Sequence, residues 1–239
     1  MGKILTIAGK ELRGYFVSPM GYVVLAFYLG VSGLIFALTI TAPQAEAEMG
    51  GMFHTMVFIA LMMAPVITMG LLAQEQATGS IEMLMTNPVR DVEVVLGKYF
   101  GAMALFVIVL VATLIFPVML QVFGDPGPDW AAVFSGYLGV LLTGMAFVAV
   151  GLFASALVAN QIASAVLSYV ILLFFWLIGW LAYAAGERIG DVARYVSILE
   201  NFQDFARGII DSRPVIFFVS LTFFALFLAV RSLENKRTI

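Results

Sequence analysis

YFGAMALFVIVLVATLIFPVMLQVF, residues Tyr99–Phe123, runs without a single Asp, Glu, Lys or Arg. A helix rises about 1.5 Å per residue and the hydrocarbon core of a bilayer is about 30 Å thick, so such a run is long enough to cross it. Five more uncharged runs flank it, at Tyr22–Thr41, Met52–Ala73, Phe134–Ala159, Ile162–Ala185 and Pro214–Val230. Turn-forming residues separate them: Ala42-Pro43, Gly50-Gly51, Asn87-Pro88 and Gly124-Asp125-Pro126-Gly127-Pro128. Only Asn160-Gln161 divides the fourth run from the fifth, and one helix spanning both would exceed any membrane thickness, so a tight hairpin is expected there. The pattern predicts an all-α integral membrane protein of six transmembrane helices, forming a single domain over residues 1–239.

Composition agrees with lipid as the main solvent. Of 239 residues, 62% are hydrophobic and 11% charged, which leaves too little polar surface to cover a water-soluble globule of this size. The net charge of -3 and the absence of any basic run argue against nucleic acid as a partner. With no cysteine, disulfides and thiolate chemistry are excluded. The methionines are scattered rather than paired at ligand spacing, and the lone histidine, His54, has no Cys or acidic neighbour, so packing and interfacial roles are expected for both.

Lys and Arg set the orientation. With the N-terminus inside, Lys3, Lys10, Arg13, Arg90, Lys98, Arg231, Lys236 and Arg237 are cytoplasmic, while Arg188, Arg194, Arg207 and Arg213 are outside, or 8 against 4. Both termini are therefore expected in the cytoplasm, with residues 74–98 forming a cytoplasmic loop and 186–213 an outer one. The six runs hold no ionisable group of the kind that couples an ion gradient to transport. Energy for uphill movement would then enter through the cytoplasmic surface. The pairs Gly2-Lys3, Gly9-Lys10 and Gly97-Lys98 lack both the glycine spacing and the Ser or Thr of a phosphate-binding loop, so an ATPase would be a separate chain.

In the 74–98 loop, Gly79 reads as a break, Ser80 as an N-cap, and 81–87 as a short helix stopped before Pro88. Ile81, Leu84 and Met85 would share one face, a pattern that fits docking into a partner's groove and equally fits resting on lipid headgroups. The set Glu75, Gly79, Ser80, Glu82, Leu84 and Pro88, followed by Val95-Leu96-Gly97-Lys98, resembles the coupling segment of ABC-2 type permeases. Three further stretches are similar to the gliding-motility-associated and copper-enzyme-maturation branch of that family: 10–22, 159–164 and 201–211. The resemblance implies a permease subunit of an exporter or envelope-acting complex. It implies an ABC ATPase subunit that binds ATP and Mg, no cofactor in this chain, and a second permease chain, identical or related. A periplasmic or membrane accessory subunit and a bacterial inner-membrane location belong to the same expectation. Glu75 to Pro88 would then be the ATPase-coupling element, although Gln76 and Ala77 stand where relatives often carry basic residues.

Two amphipathic segments complete the reading. In residues 1–21, Ile4, Leu5, Ala8, Leu12, Tyr15 and Phe16 fall on one helical face and Lys3, Thr6, Lys10 and Arg13 on the other, as in a helix lying at a membrane surface. Before the last span, Ile198, Leu199, Phe202, Phe205, Ala206, Ile209 and Ile210 oppose Glu200, Asp204, Arg207 and Asp211. This predicts one outer interfacial helix; Phe202, Phe205 and Ile209 are outer-gate candidates by the resemblance, and a lipid-resting connector is the alternative. An intramembrane enzyme is the competing class, but no G-x-S-x-G, H-E-x-x-H or acid pair lies within the spans. A channel would lack a charged or repeated filter sequence.

The topology is testable by cysteine labelling. Cysteines at Gly2 and Thr238 should be shielded from membrane-impermeant thiol reagents in intact cells, and one at Pro128 should react. Labelling of either terminus from outside would overturn the orientation.

Overall fold

The structure, a computed structural model, describes residues 2–41, 49–79, 90–124, 127–184 and 187–237. The described elements are α-helices: α1 (Gly2–Val17), α2 (Met20–Ile40), α3 (Gly50–Thr68), α4 (Ala73–Ala77), α5 (Asp91–Ala112), α6 (Ile115–Phe123), α7 (Trp130–Leu157), α8 (Gln161–Ala184), α9 (Glu187–Val196), α10 (Ile198–Ala206) and α11 (Ser212–Arg237). Six stretches are long and apolar enough to cross a membrane: α2, α3 with α4, α5 with α6, α7, most of α8, and α11. The fold is an all-α bundle with both chain ends on one side, called the terminal end below, because α1 and the last turns of α11 meet the same loop. The third span starts earlier than its apolar run. α5 begins at Asp91, where Glu93 accepts the Arg90 backbone N–H at 2.9 Å, so Lys98 lies on the helix rather than before it.

α7 is the centre of the bundle. In its apolar window 78% of residues are buried, against 22% in each of α2, α8 and α11. Small residues permit this. Gly136 is covered by the Phe53 ring, Gly139 by Phe205, Gly144 by Phe106 and Gly151 by Thr68, each so close that a methyl group would overlap its neighbour. One helix thereby receives side chains from α3, α5 and α10. In α2, a methyl group added at Gly33 would meet the Phe116 ring at an ordinary 3.6 Å and one at Gly30 would meet nothing, so neither position requires glycine for a close helix contact within the chain.

α1 packs against α5 rather than merely lying on a surface. Gly97 and Gly101, one turn apart on α5, admit it so closely that a methyl at either would come within 2.6 Å of the Cβ of Ile7 or Glu11. The packed face consequently includes Ile7 and Glu11, while Leu5, expected on the apolar face, is 71% exposed. The segment before the last span is two helices, α9 and α10, not one. Ile198, Phe202, Phe205 and Ala206 of α10 are buried as the expected apolar face; Ile209 and Ile210 fall beyond the helix and are exposed, after Gly208 turns the chain with φ +85°.

Two spans are broken. α5 stops at Ala112 and α6 starts at Ile115, because Pro117 has no N–H for the Thr113 carbonyl; that carbonyl accepts the Phe116 amide at 3.0 Å and the Tyr137 hydroxyl at 2.9 Å instead. The other break, between α3 and α4, lies at the terminal end.

Replacing Gly144 by Val should lower unfolding stability by about 1–3 kcal/mol through overpacking against Phe106. Gly30→Ala, in open space, should leave stability unchanged or raise it by up to about 1 kcal/mol. Thermal unfolding of the purified variants in lipid nanodiscs checks both. Equal losses would show that α7 is not closely packed at Gly144.

Candidate functional site: the junction at the terminal end

The α3–α4 break leaves backbone groups that helix geometry does not satisfy. In an unbroken helix the amides of Leu72 and Ala73 would reach the carbonyls of Thr68 and Met69. Instead both donate to the hydroxyl oxygen of Ser155 near the end of α7, at 3.0 and 2.9 Å, and that hydroxyl donates to the Met69 carbonyl at 3.1 Å. The Ile67 carbonyl, freed because the Leu71 amide turns to Thr68, accepts the Tyr15 hydroxyl of α1 at 2.8 Å. Desolvation, and secondarily the charge of Glu11, push the Tyr15 pKa above that of an ordinary phenol, so the group stays a donor. Pro65 lies inside α3 one turn earlier, and the Tyr169 hydroxyl of α8 donates to the nearby Met62 carbonyl at 2.6 Å.

α4 that follows is a single turn of five residues, too short to hold its shape alone. Gly79 at φ +70° ends it, a backbone conformation suited to glycine. Three side-chain clasps fix it. Ser155 holds its first amides. Glu75 is 2.8 Å from the ammonium of Lys98, whose other partner, the Glu11 carboxylate of α1, is also at 2.8 Å. On the opposite side, the Gln76 amide donates to the carbonyls of Ser155 and Ala156 at 3.3 and 3.2 Å and accepts from Lys236 of α11.

The charge cluster Glu11–Lys98–Glu75 joins α1, α5 and α4. The Lys98 side chain is only 3% exposed, and those of its partners are 21% and 18% exposed. A lysine so buried needs compensating negative charge, and two carboxylates more than supply it, for a net charge of -1 over the cluster. A cleft of ≈ 470 Å³ opens beside it, lined among others by Lys10, Tyr15, Gln74, Glu75 and Gln161. A second cleft of ≈ 410 Å³ lies at the far end, between Gly50, His54, Pro128, Asp129 and Arg207; the His54 ring there bonds the Gly50 carbonyl at 2.9 Å and packs edge-on against Phe202. Among the described residues no group of three His, Asp or Glu side chains is placed to hold a metal ion.

Of the residues expected to couple to an ATPase, Glu75 and Gly79 are placed by the structure, and Glu75 points into the chain's own bundle. Ser80, Ile81, Glu82, Leu84, Met85 and Pro88 lie outside the described residues. Lys3, Lys10 and Arg13 are exposed along α1, with Lys3 4.0 Å from Glu93. Phe202 and Phe205 are fully buried beneath α10, whereas Ile209 is exposed. Sequence reasoning passed over Glu11, Ser155 and Lys236 as contributors to a site, and met Lys98 only as the end of the coupling-segment pattern, without its partners. The G-x-x-x-G spacing of Gly97 and Gly101 was the available signal that another helix would cross α5 at Lys98.

Six helices long and apolar enough to cross a membrane define a polytopic membrane protein, and comparison with known families narrows the class. Residues 31–203 match the family model described as ABC-2 family transporter protein, and the chain belongs to that family. It is a membrane-embedded permease subunit of an ABC transporter and a non-catalytic one. No curated protein matches it significantly.

Lys98→Met should destabilise the chain by about 3–5 kcal/mol, because two carboxylates then face each other without their cation. The triple change Lys98→Met, Glu11→Gln and Glu75→Gln should recover most of that loss. Unfolding measurements on the single and triple variants decide it; an equal loss in both would mean that packing, not charge, holds the junction.

Proposed function

We propose that this chain is the membrane half of an exporter or envelope-acting complex. Its terminal end faces the cytoplasm of a bacterial inner membrane and receives the stroke of a separate ABC ATPase, which binds ATP and Mg. The observation that carries the reading is the Glu11–Lys98–Glu75 cluster. It ties the segment leading into residues 80–89 to both the amphipathic α1 and the long α5. A push on that segment is therefore delivered to two helices through short ionic contacts rather than through flexible chain.

The sparsely buried α2, α8 and α11 leave broad apolar faces to lipid and to a second permease chain, identical or related, with which a pathway would be shared. At the far end, α10 closes the bundle by seating Phe202 and Phe205 against α7, with Ile209 at its exposed edge; this is the element we assign to an outer gate. The stretches 10–22, 159–164 and 201–211 resemble the gliding-motility-associated and copper-enzyme-maturation branch, and we extend the proposal to that branch and to an accessory envelope subunit. An intramembrane enzyme or a channel independent of ATP is the competing reading.

Affinity purification of the full chain from its native membranes should bring down an ABC ATPase that hydrolyses ATP. Leu84→Asp should abolish that association while leaving membrane insertion intact, since a charge buried unpaired in a docking contact costs several kcal/mol. Glu82→Gln should weaken it less. If no ATPase accompanies the wild-type chain, or if Leu84→Asp retains it fully, the reading fails.

A further inference from the structure

Lys236 lies on the last turns of α11, outside the residues that match the family model. A lysine at the end of a membrane-spanning helix ordinarily extends its ammonium toward lipid headgroups and water. This one turns back into the protein. Its three N–H donors all meet oxygen acceptors: the Ala156 carbonyl at 2.8 Å, the Leu157 carbonyl at 3.2 Å and the side-chain oxygen of Gln76. The two carbonyls are among the last of α7, which lack helical N–H partners and carry the negative end of the helix dipole. Ser232, one turn earlier on α11, donates to the same Ala156 carbonyl at 3.1 Å. Gln76 is the residue after Glu75, on a one-turn helix that the α3 break has cut loose from its own span.

We infer that Lys236 is a positioning residue through which the last span, α11, sets the orientation of α4, the helical turn that leads into the loop of residues 80–89. The inference rests on the reading of that loop as the ATPase-facing element. Glu75 and Lys98 hold α4 from the side of α1 and α5; Lys236 and Gln76 hold it from the side of α7 and α11. A displacement of α11 at its terminal end is thus passed to α4 directly through the Lys236 ammonium, and indirectly through the Ala156 carbonyl that Ser232, Lys236 and Gln76 share. The last span is in this way mechanically connected to the ATPase side of the molecule, although it is distant from that loop in sequence.

The test uses the full chain in lipid nanodiscs, with hydrogen exchange read on the amides of 72–79. Lys236→Met should raise exchange there about tenfold, because α4 opens locally without unfolding the bundle. Lys236→Arg, which restores a charged multiple donor, should return it to within about twofold of wild type, a rescue that general loss of stability would not give. Gln76→Met, which removes the Lys236 acceptor together with the amide's own bonds to the Ser155 and Ala156 carbonyls, should loosen the same amides at least as much, even if the lysine variant folds poorly. Arg231→Met should not, because Arg231 pairs with Glu234 on its own helix. Exchange unchanged in Lys236→Met and Gln76→Met, or no recovery with arginine, overturns the inference. In the complex with its ATPase, Lys236→Met should reduce permease-stimulated ATP hydrolysis several-fold and Lys236→Arg should restore it; normal hydrolysis with a loosened α4 also overturns it. Absence of any ATPase from the wild-type complex counts instead against the function proposed above, and the exchange data then decide the placement of α4 alone.

Discussion

A transmembrane helix can break only where something other than lipid takes over its hydrogen bonds. That constraint shapes this protein at its terminal end. The Ser155 hydroxyl accepts two amides and donates to one carbonyl at the end of α3, replacing in one atom the bonds that a continuous helix would have made. Tyr15 does the same for the Ile67 carbonyl from α1. Because these groups come from α1 and α7, the break can persist only when those elements are docked. The placement of α4 therefore depends on contacts made far away in sequence.

Electrostatics act on the same place with a different range. Lys98 is buried deeply enough that its charge requires neighbours, and the two carboxylates reach it from opposite sides, one on α1 and one on α4. Glycines at 97 and 101 make the close approach of α1 possible, so the ionic contact and the tight helix crossing are one feature of α5. The buried tyrosines extend the principle through the bundle. Tyr28 donates to Met56, Tyr99 to Met145 and Tyr137 to Thr113, each hydroxyl joining one helix to the backbone of another.

The spans were legible in the sequence because length and lack of charge alone specify them, and the six runs map onto the six apolar stretches. Their ends were less so. Lys98 was read as loop because a charged residue next to an apolar run looks like its boundary, whereas Glu93 caps a helix that starts earlier and the charge is met by partners from elsewhere. The division of the second and third spans into two helices each is marked in the sequence only by Pro65 and Pro117, since a proline shows where a helical bond is lost but not whether the helix kinks or stops. Periodicity identified α10 and its buried phenylalanines correctly and overextended it to Ile209, since an apolar repeat carries no mark where Gly208 reverses the backbone. Glu11 escaped notice because a lone acid on a basic helix has no meaning until its partner is in view. The role of Ser155 was invisible for a related reason: one hydroxyl in an apolar run gives no hint of which backbone it serves.

The interruption between α5 and α6 gives the bundle uneven compliance. α5 is clamped along its length by α1 and α7, whereas α6 is joined to α5 through two non-helical residues and steadied by the Tyr137 hydroxyl and by the Trp130 indole, which donates to Gln121 at 2.8 Å. Hydrogen bonds from the Leu114 and Phe116 amides to the Val111 and Thr113 carbonyls bridge the step. The third span therefore changes its hydrogen-bonding pattern at Thr113 without leaving its backbone groups unpaired to lipid, so the two halves can differ in direction while remaining one crossing.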